Sequence, residues 1–177
     1  MSCILDGGIS LGCKDSLGGI KEVYIASFNG DEVFTYGVTG VEEDVIVGAT
    51  GTENFYTFEQ RNEQGEFVQN GNHSVENGTN YWDQTVSLIF TKNDATDRNI
   101  LKLLAQSTLL IIVLDQNGNY WVVGQTNGAD LTASTQSAGK SYGDLNGTTV
   151  SFLGKEASPA RLMTAAAFAS DIVPILT

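Results

Sequence analysis

The chain reads as mainly β with one flanking α-helix, and three observations predict it. The dipeptide Asn-Gly recurs at 29–30, 70–71, 77–78, 117–118, 127–128 and 146–147, a pair that favours the positive φ angles of tight hairpin turns. Val86, Leu88 and Phe90 alternate with Thr85 and Ser87, as Val150 and Phe152 do with Thr149 and Ser151, which is the period of strands with one face on a core. One internal segment, about residues 94–106, carries a helical period instead: Ile100, Leu101, Leu104 and Ala105 make a single apolar stripe.

Taken in order, residues 1–20 are glycine-rich and irregular, and lead into a strand over 22–28. A second strand spans 33–38. Residues 37–51, with Glu42, Glu43 and Asp44 amid Val and Gly, hold no sustained period and read as a long excursion, either a loop or a protruding hairpin or arm. Strands follow at 54–61 and 85–90, separated by a polar, turn-rich stretch around Gln69 to Ser74. The helix has Asp94 or Asn93 to cap its start, Asp97 in its first turn and Lys102 near its end. Leu109 to Leu114 is apolar without alternation, so both its faces must be covered, and the preceding helix is the expected cover. Asp115 to Asn119 turns this strand into a hairpin with 120–124, and a further strand spans 148–154. In the C-terminal tail, 157–177, propensity favours a short helix within Arg161 to Ile172, ended by Pro174.

The 177 residues suit one structural domain, and neither a linker nor a repeat divides them. Nine Lys plus Arg stand against 21 Asp plus Glu, a net charge of −12. So few basic residues argue against a grip on nucleic acid, which relies on cations releasing phosphate counterions. At 41% hydrophobic and 17% charged, the composition is neither disordered nor membranous. No secretion signal is expected from the opening residues, because Asp6 interrupts their apolar run. Cys3 and Cys13 are read as structural or incidental, with a disulfide between them left open. The sequons at Asn72, Asn77 and Asn146 are read as turn residues.

Chemistry is hard to find. His73 is the single histidine and sits without a nucleophile motif nearby. Glu42 and Glu43 are adjacent, so on an extended chain they point to opposite faces. The aspartates lack the spacing of a calcium loop, and the glycines of the opening lack the order of a phosphate cradle. No enzyme, metal or cofactor is expected. Tyr81, Trp82, Tyr120 and Trp121 are candidates for interface packing or for stacking against a glycan.

The segment Cys13-Lys14-Asp15-Ser16-Leu17-Gly18-Gly19-Ile20-Lys21-Glu22-Val23-Tyr24-Ile25-Ala26 resembles the opening of tail-tube proteins (major tail proteins) of tailed bacteriophages, especially those of Bacteroidetes. Gly124 to Leu131, Gly139, Gly143 to Gly147, Val150 to Glu156 and Pro159-Ala160 are similar to the closing sheet of that group. These stretches cover less than half the chain. The resemblance implies a β-sandwich or barrel flanked by a helix, a homo-oligomer of hexameric rings that stack into a tube, and residence in the virion tail after assembly in the host cytoplasm. It further implies contacts with other tail or head-completion proteins, and passing DNA that is not held in a sequence-specific way, with no membrane. Acidic residues lining a lumen would repel that DNA; Glu42, Glu43, Asp44, Glu53, Glu59 and Asp83 are the candidates. Two other readings compete: a capsid decoration or head-completion protein, and a β-sandwich carbohydrate-binding module using the four aromatic residues.

Overall fold

The computed structural model describes residues 8, 9, 11–37, 44–92 and 94–176. Eleven strands form one hydrogen-bonded sheet that folds over into two layers. The first layer runs β4 (Tyr56–Glu59), β1 (Ile20–Ser27), β7 (Leu109–Asp115), β8 (Tyr120–Val123), β11 (Arg161–Met163), β3 (Val45–Thr50) and β2 (Val33–Tyr36). The second runs β9 (Ala129–Ser137), β10 (Gly147–Glu156), β6 (Thr79–Thr91) and β5 (Glu66–Ser74). A single register pair, Leu109 with Ala129, joins them. The pairing is antiparallel except between β11 and β3. The result is a β-sandwich with a flanking helix.

The layers meet through side chains that alternate inward. Val23 and Ile25 of β1 and Ile111 and Val113 of β7 pack on Val86 and Leu88 of β6 and Val150 and Phe152 of β10. All are buried. Phe67 and Trp121 touch across the gap with ring centroids 5.9 Å apart, and Phe58 and Phe90 at 5.7 Å. The helix α1 (Ala95–Leu104) starts on a reciprocal cap: the Asp94 carboxylate accepts from the Thr96 and Asp97 N–H groups, while Asp97 accepts from the Asp94 N–H. It inserts Leu104 and Leu101 into this same core.

It does not cover the far face of β7, as the sequence led us to expect. That cover is the C-terminal helical segment, Ala165–Ala167 continuing through Phe168–Ile172 and Val173–Ile175. Leu110, Ile112 and Leu114 of β7 pack there with Tyr24, Ile46, Phe55, Phe168 and Ile172. Leu101 and Leu104 place the helix on the sandwich-core side of β7, and the chain covers the other side from its C-terminal segment.

Several strands differ from expectation. Of the readings offered for the 37–51 excursion the hairpin holds in the described part, with β3 as the arm returning against β2, but it does not simply protrude, since Ile46 is fully buried; residues 38–43 lie outside those described. The polar stretch 69–74 is the outer half of β5. Its Asn70-Gly71 is no turn: Gly71 pairs with Trp82 within the ladder, and a side chain there would meet His73 Nε2 at 2.7 Å. Glycines 30, 78, 118 and 128 do take positive φ, as tight turns require. β9 and β11 had no apolar alternation to announce them.

Candidate functional site

The carboxylates proposed from sequence do not share a wall. Asp83 lies on the outer face of the second layer, where the Lys155 ammonium sits 2.9 Å from its Oδ1 and Asn72 donates to Oδ2. The hydrogen bond from Lys155 holds the Asp83 carboxyl below its usual range, and the same bond raises Lys155. Glu59 stands opposite Glu22 on β4, on the outer side of the other layer. Glu53 accepts from the Asn29 carboxamide, and Asp44 pairs with Arg161. Glu42 and Glu43 lie outside the described residues. The β4 strand spans only Tyr56–Glu59, so no strand relates Glu53 to Glu59.

The aromatic residues are divided in the same way. Tyr120 stacks on Phe168 at 4.3 Å in the outer core of the first layer. Its neighbour Trp121 faces the sandwich core, with its indole N–H donating to Asp115. Both are packing residues. Trp82 is half-buried and meets His73 edge-on at 5.7 Å, while Tyr81 is exposed on the opposite face of β6 beneath the Lys155 ammonium at 5.2 Å. No two of the four form a common platform. His73 hydrogen-bonds Asn80 across the ladder. Among the described residues no cluster of three or more His, Cys, Asp or Glu could hold a metal ion, and Cys13 is exposed as a free thiol.

What the carboxylates do instead is accept backbone N–H groups at turns, a role the sequence reading assigned only at the start of α1. Asp115 accepts from the Asn117 and Asn119 N–H groups within the β7–β8 turn. Burial alone would raise its carboxyl, but these bonds, with those from the Asn119 carboxamide and Trp121, win and hold it low. Asp144 accepts from the Lys140 and Ser141 N–H groups and is likewise held low by them. Asp171 accepts from Ala49 N–H at 2.7 Å, fastening the C-terminal segment to β3.

The corner between layers is the most buried example. Glu156 accepts from the Thr126 and Asn127 N–H groups at 2.8 and 2.9 Å, and Gln84 accepts from the Gly124 N–H while donating to the Ser158 carbonyl. Both side chains are buried. Gly128 is required here as well: at φ +75, a side chain would strike Thr108 at 2.2 Å.

Among the described residues, the surface features with no strand or layer packed on them are edges and a face. Among the described residues β5 pairs only with β6, and no strand lies along its other edge. β9 touches β7 only at Ala129, and its residues from Thr132 to Ser137 are exposed. The outer face between these edges carries Thr85, Ser87, Ile89, Thr149, Ser151 and Leu153, all half-buried and none charged. At the start of the chain Ile9 and Leu11 are fully exposed, while Leu17 is tied to Asn117 by a bond in each direction. No family model, curated protein or solved structure matches this chain.

Proposed function

We propose that this chain is a structural subunit that assembles into rings by joining the second layer of one copy to that of the next, and that the assembly is the stacked tube of a phage tail. The observation that carries the ring is the pair of open edges on one four-stranded layer. Along β5, β6, β10 and β9 every neighbour is antiparallel, so β5 and β9 run in opposite directions. Copies related by rotation alone therefore offer β9 to β5 in the antiparallel sense, and the sheet can continue from one subunit to the next. Such edges are a hazard for a monomer and an asset for an assembly. The tail-tube form of the assembly rests on the sequence resemblance.

In this reading the outer face of the second layer would be the wall of the lumen: its two central strands present chiefly hydroxyl and aliphatic side chains with Asp83 paired to Lys155, and the exposed Glu66 and Asp130 flank them opposite Ser87 and Leu153. DNA would then slide past a wall with few cations to hold it, rather than along a dense line of carboxylates.

The test is negative-stain microscopy and light scattering on purified protein, alone and as Val68→Lys. Val68 is exposed on the open edge strand β5, and a lysine there opposes edge pairing. Rings or tubes from the native chain, lost in a variant that stays folded, are expected. A strict monomer at high concentration overturns the proposal, and so do rings that Val68→Lys leaves intact.

A further inference from the structure

The six Asn-Gly dipeptides share one local chemistry but not one environment. Asparagine followed by glycine can cyclise: the glycine N attacks the side-chain Cγ, a C–N bond forms, and ammonia leaves with the proton of that N–H. Water then opens the succinimide at either carbonyl, giving aspartate or isoaspartate. The attack needs a free carboxamide, a free glycine N–H and a backbone able to bring them together.

Three sites are held at both groups. The Asn29 carboxamide donates to Glu53 and accepts from the Asp31 N–H, while the Gly30 N–H donates to Glu32. The Asn117 carboxamide is bonded in both directions to the Leu17 backbone, and the Gly118 N–H donates to the Asp115 carbonyl. The Asn127 carboxamide donates to the Lys155 carbonyl, and the Gly128 N–H to the Gly124 carbonyl. Two more are held by the sheet. Asn70-Gly71 lies inside β5, with His73 and Trp82 against Gly71. Gly147 is laddered between Thr91 and Ser137, with the Phe90 carbonyl closing the space beside it.

The sixth is different. Asn77 and Gly78 lie in the exposed β5–β6 turn, Gly78 has φ +61, and open space surrounds it. The Asn77 backbone N–H donates to Ser74 Oγ, but among the described residues neither the Asn77 carboxamide nor the Gly78 N–H takes a hydrogen bond. We infer that Asn77 is the site at which this protein spontaneously deamidates and isomerises. The change adds a negative charge to the hairpin tip and, in the isoaspartyl form, an extra backbone methylene. The inference is independent of the assembly reading.

The experiment ages the folded full-length protein at mildly alkaline pH and physiological temperature, then follows each Asn-Gly peptide by mass spectrometry and isoaspartate-specific carboxyl methylation. A parallel sample is aged in denaturant. In the folded protein Asn77 is expected to convert on the order of tenfold faster than any other site, the effect of one hydrogen bond that need not be broken first. In denaturant the six sites should converge. Equal rates in the folded state, an earlier reaction at another asparagine, or an Asn77 that stays intact while the unfolded chain reacts would each overturn the inference.

Discussion

β7 of the first layer and β10 of the second are both central strands, yet they meet opposite environments. β7 is buried on both sides, by the second layer inside and by Phe168 and Ile172 outside. β10 buries Thr148, Val150, Phe152 and Gly154 and turns Thr149, Ser151 and Leu153 to an uncovered face. The contrast is written in their residues: an unbroken run of Leu, Ile and Val in one, alternation with Thr and Ser in the other. A layer that is covered within the chain spends its apolar surface on folding. The second layer, among the described residues, has one face and two edges with no strand or layer packed on them.

The largest way to disturb this contrast is to strip the cover from the first layer. Phe168 is buried and lies against both Tyr24 and Tyr120, so Phe168→Ala should cost about 3–5 kcal/mol in a urea titration. A loss near that expected of a surface substitution would mean that the C-terminal segment is not the true cover of β7.

The next effect falls at the joint between the layers. Glu156→Ala removes the carboxylate that accepts both the Thr126 and Asn127 N–H groups and should cost about 1.5–3 kcal/mol, whereas Glu156→Gln, which keeps an acceptor, should cost less. Equal losses in the two variants, measured by the same titration, would reduce the site to packing alone.

A smaller effect belongs to the β7–β8 turn, and it depends on pH. The Asp115 carboxyl is held below its unfolded value, so its contribution is complete above the ordinary carboxylate range, near pH 4. It is lost as pH falls through the folded value. Asp115→Asn should therefore lower thermal stability at neutral pH and flatten the acid limb of the stability profile. An acid limb unchanged in slope would assign that loss to other carboxylates.

Much of the architecture was legible because its signals are local. Residues 80–125 read correctly as strand, helix, strand and hairpin, since α1 carries its own cap and stripe and β7 its own unbroken apolar run. β5 and β9 were not legible, because their Asn, Gly, Thr and Ser residues resemble loop composition and become strands only through pairing with β6 and β10. The candidate site was less legible still. Adjacent aromatic residues such as Tyr120 and Trp121 look like a pair in sequence, but on a strand they point to opposite faces and enter different cores.

By itself the sequence determined the class of fold, the helix, and the turns at Gly30, Gly78, Gly118 and Gly128, because hydrophobic period and positive φ are properties of neighbouring residues. Only the tertiary structure decided which element covers β7, which edges remain open, and what the acidic excess does. Glu156 and Asp171 find their backbone partners at sequence separations of 29 to 122 residues, and no local pattern encodes such a meeting. The carboxylates behind the net charge of −12 thus include some that accept backbone N–H groups, some that pair with Lys155 or Arg161 and others exposed to solvent, a division that only the folded chain makes.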